Sequence, residues 1–120
     1  KLVKISWEML KPTMVDQLFT HRSPADFLSL FYYADFVVTN SFHGLAFSIN
    51  LEKQFIVVPR NEFNSRIESL LTLTGLKERM VSSFEELNTC QGKIRYDRIE
   101  KILDVERRKV HDFLRNNLKF

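Results

Sequence analysis

The 120 residues carry 18 Lys and Arg against 15 Asp and Glu, with 44% hydrophobic and 28% charged side chains. That balance belongs to a chain that builds its own core in one domain, and it excludes disordered and collagen-like classes. Three glycines and three prolines exclude low-complexity readings, and a single cysteine, Cys90, excludes an internal disulfide and a cysteine-based zinc site.

No apolar run approaches the ~20 residues that span a bilayer, so no transmembrane segment is expected. One cysteine and no signal-peptide pattern point to the cytoplasm. The chain starts at Lys1 rather than Met and is read as a piece of a longer protein. Residues 93–120 hold nine basic and five acidic side chains, whereas residues 1–92 hold nine and ten. Signs alternate in Asp104, Glu106, Arg107, Arg108, Lys109 and Asp112, the pattern of a solvated helix face. No nucleic-acid partner is expected.

Leu2, Val3 and Ile5 suit the end of a strand, and Pro12 breaks what precedes it. Met14, Val15, Leu18 and Phe19 stand at helical spacing. Ser23 and Pro24 form an N-cap and first helical position, with Asp26 in the first turn. Phe27, Leu28, Leu30, Phe31 and Ala34 give the helix predicted over 24–34 its apolar face. Residues 35–40 and 54–58 are apolar, β-branched runs that predict two strands buried on both faces. Leu45, Ala46 and Ile49 place a helix between them, ending near Asn50. Strand, helix and strand in so few residues form a βαβ unit with a parallel pair.

Asn64 and Ser65 can cap the next helix, with Glu68 at capping-box spacing from Ser65. Ile67, Leu70, Leu71 and Leu73 form its stripe, and Gly75 ends it. Residues 79–81 read as a short third strand or a loop, Ser83 and Glu86 as a second capping box, and 88–93 as a connector. A long helix follows over 96–118, with Ile99, Leu103, Val110 and Phe113 near heptad spacing. Alternating helices and strands predict a three-layer α/β domain.

The chemistry-bearing stretch is Thr39-Asn40-Ser41-Phe42-His43-Gly44. It joins the carboxyl end of a strand to the start of a helix, where ligands bind in open α/β sheets. A helix start offers unpaired N–H donors and a partial positive charge to an anion. Ser41 adds a hydroxyl, and His43 adds an imidazole, the side chain that changes charge near neutral pH. Gly44 removes a side chain where a ligand would approach closely. The group suits a phosphate or carboxylate that must also receive a proton. The same residues also read as an ordinary N-cap followed by a first-turn histidine. Arg66 offers a guanidinium fork to an anion, or a surface ion pair to Glu62 or Glu68. His21 and His111 stand isolated, Cys90 has no base near it in sequence, and Trp7 reads as packing. No spacing of His, Asp or Glu suggests a metal site.

The run from Ala34 through Asp35-Phe36-Val37-Val38-Thr39-Asn40-Ser41-Phe42-His43-Gly44 to Ile49 resembles the signature of the polysaccharide pyruvyl transferase family. Phe55-Ile56-Val57-Val58, Asn64-Ser65-Arg66-Ile67, Gly75-Leu76-Lys77-Glu78-Arg79 and the helix from Tyr96 to Leu114 resemble that family's C-terminal region in the same order. The resemblance implies a transferase that moves a pyruvyl group from phosphoenolpyruvate to a sugar hydroxyl of a surface polysaccharide, as a ketal, with no further cofactor. It implies a Rossmann-like half of a GT-B-like fold, residues 1–120 being the C-terminal domain of a two-domain protein and inactive without the N-terminal one. His43 is then the catalytic residue, and Asn40, Ser41, Phe42, Gly44 and Arg66 bind the donor. Many members carry Arg two positions before the His, where this chain has Ser41. The missing cation must come from elsewhere, Arg66 and Arg60 being nearest in sequence. Two other readings stand beside this one: a GT-B-type glycosyltransferase half using a nucleotide sugar, and a non-catalytic binding domain.

Overall fold

The computed structural model describes residues 1–5, 13–20, 23–88, 90 and 92–118. Trp7, Pro12 and His21 lie outside the described residues. The chain groups into two compact units, residues 1–33 and 34–120.

In the first unit, β1 (Val3–Ile5) pairs in parallel with β2 (Gln17–Phe19), Val3 opposite Gln17. The helix that the spacing of Met14, Val15, Leu18 and Phe19 suggested is therefore a strand at its C-terminal end. The pairing is held in register by the Leu2 carbonyl, which accepts from Asp16 N at 2.8 Å, and by the Asp16 carboxylate, which accepts from Leu2 N. Those bonds satisfy backbone groups that a short isolated helix would leave open. Helix α1 spans Pro24–Tyr33, and the Ser23 hydroxyl caps it by accepting from Asp26 N at 3.2 Å. Of its apolar residues only Phe31 is fully buried, its ring 4.8 Å from that of Phe27.

In the second unit, β3 (Phe36–Thr39) runs into α2 (Phe42–Asn50) and then β4 (Gln54–Val57). The two strands pair in parallel, Val37 opposite Phe55 and Thr39 opposite Val57, as the βαβ pattern required. Val37, Phe55 and Val57 are buried with Leu45 and Ile49 of α2. The other face differs from expectation, because Phe36 and Val38 are 51% and 62% exposed. β3 is therefore buried on one face only. Ile56, on that same face of β4, is half-buried.

Helix α3 covers Ser65–Thr74, ending at Gly75 in the left-handed conformation (φ 70°) that glycine adopts without strain. Its core face is Ile67, Leu71 and Thr74, while Leu73 is turned to the surface. Thr74 belongs there because its hydroxyl donates to the Leu70 carbonyl at 2.8 Å. A 3₁₀ turn (Lys77–Arg79) leads to Met80, which makes a single parallel bridge to Val57, with Val81 N donating to the Val57 carbonyl. The segment at 79–81 thus extends the sheet edge without becoming a full strand. Helix α4 (Phe84–Leu87) is capped by Ser83, whose hydroxyl accepts from Glu86 N at 3.3 Å.

Helix α5 (Tyr96–Asn117) buries only Tyr96 and Ile99. The expected continuous core stripe stops there, and Val110 and Phe113 face outward. The segment before α5 is stitched to β4 by the Gln54 amide, which accepts from Ile94 N at 2.7 Å and donates to Ile94 O at 3.2 Å. Buried Arg79 donates to the Gly92 carbonyl at 2.8 Å. The Tyr96 hydroxyl donates to the Lys53 carbonyl beneath α2.

Burial pushes the Tyr96 hydroxyl far above the ordinary tyrosine value, Arg79 pulling it back and Glu52 adding to the rise. The neutral form is thus favoured in the folded chain. Above about pH 10 the unfolded chain gives up this proton first, so stability falls as pH rises from there. Tyr96→Phe should cost about 1 kcal/mol near neutral pH, from the lost hydrogen bond. It should also flatten the alkaline loss. Urea unfolding compared across that window checks this, and an unchanged alkaline slope in the variant rules out Tyr96 as the group responsible.

Candidate functional site

The junction from β3 to α2 is built by Thr39, Ser41 and Gly44. Ser41 is the N-cap of α2 in extended conformation (φ −111°, ψ 139°), and its hydroxyl accepts from Gly44 N at 3.2 Å. The Thr39 hydroxyl accepts from Ser41 N at 3.1 Å. Leu45 N donates to the Ser41 carbonyl at 3.0 Å, so the helix starts at once after the strand. No described residue accepts from the N–H groups of Phe42 and His43, the first two residues of α2. These are the orphan donors of a helix start.

Gly44 is buried, and the space beside it is already filled. A Cβ there would lie 2.2 Å from Thr39 Oγ1 and 2.9 Å from Thr39 Cβ. The glycine lets α2 pack directly on the strand end, which is the physical reason for its place, rather than room for a ligand. Thr39 stands in the chemistry-bearing stretch of the sequence, but its place there gives only a hydroxyl residue closing a strand, not this contact. Ser48, which no sequence signal marks, is fully buried, and its hydroxyl donates to the Gly44 carbonyl at 2.7 Å.

His43 is exposed, and its ring lies 6.0 Å from that of Phe42, edge to face at 73°. Arg66, second residue of α3, places its guanidinium carbon 4.9 Å from the centre of the Phe42 ring. Such a contact is worth about 0.5–1 kcal/mol at an exposed position. Arg66 makes no ion pair among the described residues, so neither Glu62 nor Glu68 neutralises it. Phe42 thus links the histidine to the arginine. An open groove of about 390 Å³ begins at Phe42 and runs along Ser65, Arg66, Ser69, Leu70 and Leu73.

The remaining candidates stand apart. Asn40 is exposed at the turn between β3 and α2. Asn64 precedes α3 but does not cap it by its side chain. Its amide closes the loop after β4 instead, accepting from Arg60 N at 3.0 Å and donating to Arg60 O at 2.6 Å. Cys90 is half-buried, its thiol donating to the Glu78 carbonyl. No helix among the described residues is long and apolar enough to cross a membrane.

This junction lies inside the span that matches a known family. The polysaccharide pyruvyl transferase model covers residues 2–62, and the chain belongs to that family. The matched span holds β1 through β4 and all of the Ser41–Gly44 turn, while Arg66 and the helices after it lie beyond its end. It is a transferase family acting in polysaccharide pyruvylation. No curated protein and no solved structure matches the chain.

Proposed function

We propose that this chain is the C-terminal, Rossmann-like half of a two-domain pyruvyltransferase of GT-B-like architecture, with phosphoenolpyruvate as donor and a sugar hydroxyl as acceptor. One observation supports this most: the family-matched turn puts His43 and two unpaired helix N–H groups at the carboxyl end of a parallel strand, with Arg66 beside them on Phe42. An enol phosphate needs that set. Its phosphate and carboxylate need N–H donors and a cation, and its methylene carbon needs a proton.

His43 as imidazolium protonates the methylene carbon, which makes C2 electrophilic. A sugar hydroxyl adds to C2 and gives up its proton. The C2–O bond to phosphate then breaks, and phosphate leaves with the bonding pair. A second hydroxyl of the same sugar adds to C2 and loses its proton, closing the ketal. Ser41 stands where many members carry an arginine, and its hydroxyl is already engaged as the helix cap. Arg66 is therefore the cation that this reading assigns to the donor.

Phosphate release by the whole protein, with phosphoenolpyruvate and an acceptor sugar, tests the reading. Arg66→Ala should raise KM for phosphoenolpyruvate roughly 10- to 100-fold, the worth of a hydrogen bond to a charged group. Arg66→Lys should recover part of that loss, since lysine keeps the charge but not the fork. Saturable binding of a nucleotide sugar and none of phosphoenolpyruvate would replace this reading with a glycosyltransferase half. Binding of phosphoenolpyruvate without turnover would leave a binding domain, which the serine at position 41 would then explain.

A further inference from the structure

Hydroxyl side chains in a helix commonly turn back onto the chain. Two in α3 do so: Thr72 donates to the Glu68 carbonyl at 2.7 Å and Thr74 to the Leu70 carbonyl at 2.8 Å. Ser65 and Ser69 do not. Their hydroxyls make no hydrogen bond among the described residues, and both line the groove of about 390 Å³ together with Leu70 and Leu73. The groove shares Phe42 and Arg66 with the β3–α2 junction and continues along α3.

The loop that leads into α3 adds an aromatic ring. Phe63 is 88% exposed and holds the left-handed conformation (φ 66°), where a bulky side chain is an outlier. The paired bonds between the Asn64 amide and the Arg60 backbone close the loop across it. At the other end of the loop, Val58 N donates to the Thr39 carbonyl at 2.9 Å, beside the strand end that leads to His43. Two peptide steps keep the Phe63 Cα within about 7 Å of that of Ser65, so its ring is in reach of the groove.

A donor such as phosphoenolpyruvate is a small anion, and it has no use for Leu70 and Leu73. A protein partner covers roughly 800 Å² of surface, whereas this groove falls in the range of about 300–1,000 Å³ that small ligands fill. A sugar ring carries both kinds of surface that the groove offers, a face of C–H bonds and a rim of hydroxyls. Transfer also requires the acceptor hydroxyl about 3–3.5 Å from C2 of the donor, so the sugar must sit in space continuous with the donor's. We propose that the groove along α3 is the acceptor subsite, taking a sugar ring with its C–H face on Leu70, Leu73 and Phe63 and its hydroxyls on Ser65 and Ser69. This assignment rests on the pyruvyltransferase reading and extends it to residues that the family match does not cover.

Saturation-transfer NMR on the whole protein tests it, with the methyl glycosides of glucose, galactose and mannose as probes. At least one hexoside should bind, and Ser69→Ile, which fills the groove, should weaken that binding at least tenfold. In phosphate-release kinetics with that hexoside as acceptor, Ser69→Ala and Phe63→Ala should each raise the acceptor KM roughly 3- to 10-fold. The KM for phosphoenolpyruvate should stay at the parent value in both, in contrast to Arg66→Ala. Ser69 and Phe63 are exposed, so circular dichroism should show the fold unchanged. Parent-like hexoside binding and acceptor KM in Ser69→Ile overturn the proposal. So does the absence of any hexoside signal, or binding of uridine diphosphate that Ser69→Ile abolishes, which would name a nucleotide instead. Hexoside binding lost in Ser69→Ile, in a parent that releases no phosphate from phosphoenolpyruvate, keeps the sugar site and removes the donor reading alone.

Discussion

His43→Ala in the intact enzyme should lower kcat for pyruvyl transfer by about 10²- to 10⁴-fold, the range of a positioned general acid. The fold should survive. His43 is the second residue of α2 and is exposed, so truncating it opens no cavity. His43→Gln separates two roles that alanine merges. Glutamine can donate a hydrogen bond to a bound anion but cannot deliver a proton to carbon. If the imidazole only grips the donor, the glutamine variant keeps much of its kcat and the alanine variant mainly raises KM. If it is the acid, both variants lose kcat to a similar degree. Rates must be read at saturating phosphoenolpyruvate, because a binding defect at low donor imitates a catalytic one. Near-normal kcat in the glutamine variant would remove His43 from the acid role. The neighbouring contacts sharpen the comparison. The Phe42 ring meets the His43 ring edge to face and also carries the Arg66 guanidinium. A change at His43 that also weakened donor binding through Phe42 would appear in KM, not in kcat.

What the amino-acid sequence made legible depends on how local the cause was. β3, α2 and β4 were legible because residues 36–39 and 54–57 are apolar, β-branched runs with helical spacing between them. Their parallel pairing followed from that intervening helix. β2 was not legible. It exists through bonds to a strand about a dozen residues earlier, and the local spacing of Met14, Val15, Leu18 and Phe19 imitates a helix turn. Nor does an apolar run say how many of its faces will be covered, so Phe36 and Val38 read as core in the sequence and stand exposed in the fold. The same holds for α5, whose heptad spacing runs on past the body that buries it. At the site, the Ser41 cap was legible from residue type and place. The meeting of Phe42 with Arg66 was not, since α2 and α3 approach each other only through tertiary packing. Asn64 shows the limit of motif reading. It has a capping residue's chemistry at a capping position, yet its amide is bound to Arg60.

Gly44→Ala should destabilise the chain by about 2–3 kcal/mol, although helix propensity alone argues the opposite sign. A glycine inside a helix is worse than alanine by about 0.5–1 kcal/mol, so an unobstructed substitution would stabilise. Here the new methyl would lie 2.2 Å from Thr39 Oγ1, 2.9 Å from its Cβ and 3.3 Å from its Cγ2. Thr39 has little freedom to retreat. Its hydroxyl is held by Ser41 N at 3.1 Å, and its carbonyl accepts from Val58 N at 2.9 Å. Either α2 lifts from the strand end or the Ser41 cap is lost, and both displace the first turn that carries His43. Thr39→Ala by itself should cost about 1 kcal/mol, by leaving Ser41 N without its acceptor. Combined with Gly44→Ala it removes the 2.2 Å and 3.3 Å contacts and leaves only the Cβ contact at 2.9 Å. The double variant should therefore be less damaged than the two single losses added, with a coupling of about 1 kcal/mol or more in a denaturant-unfolding cycle. Additive losses, or a Gly44→Ala chain as stable as the parent, would show that the strand end is not what keeps this position free of a side chain.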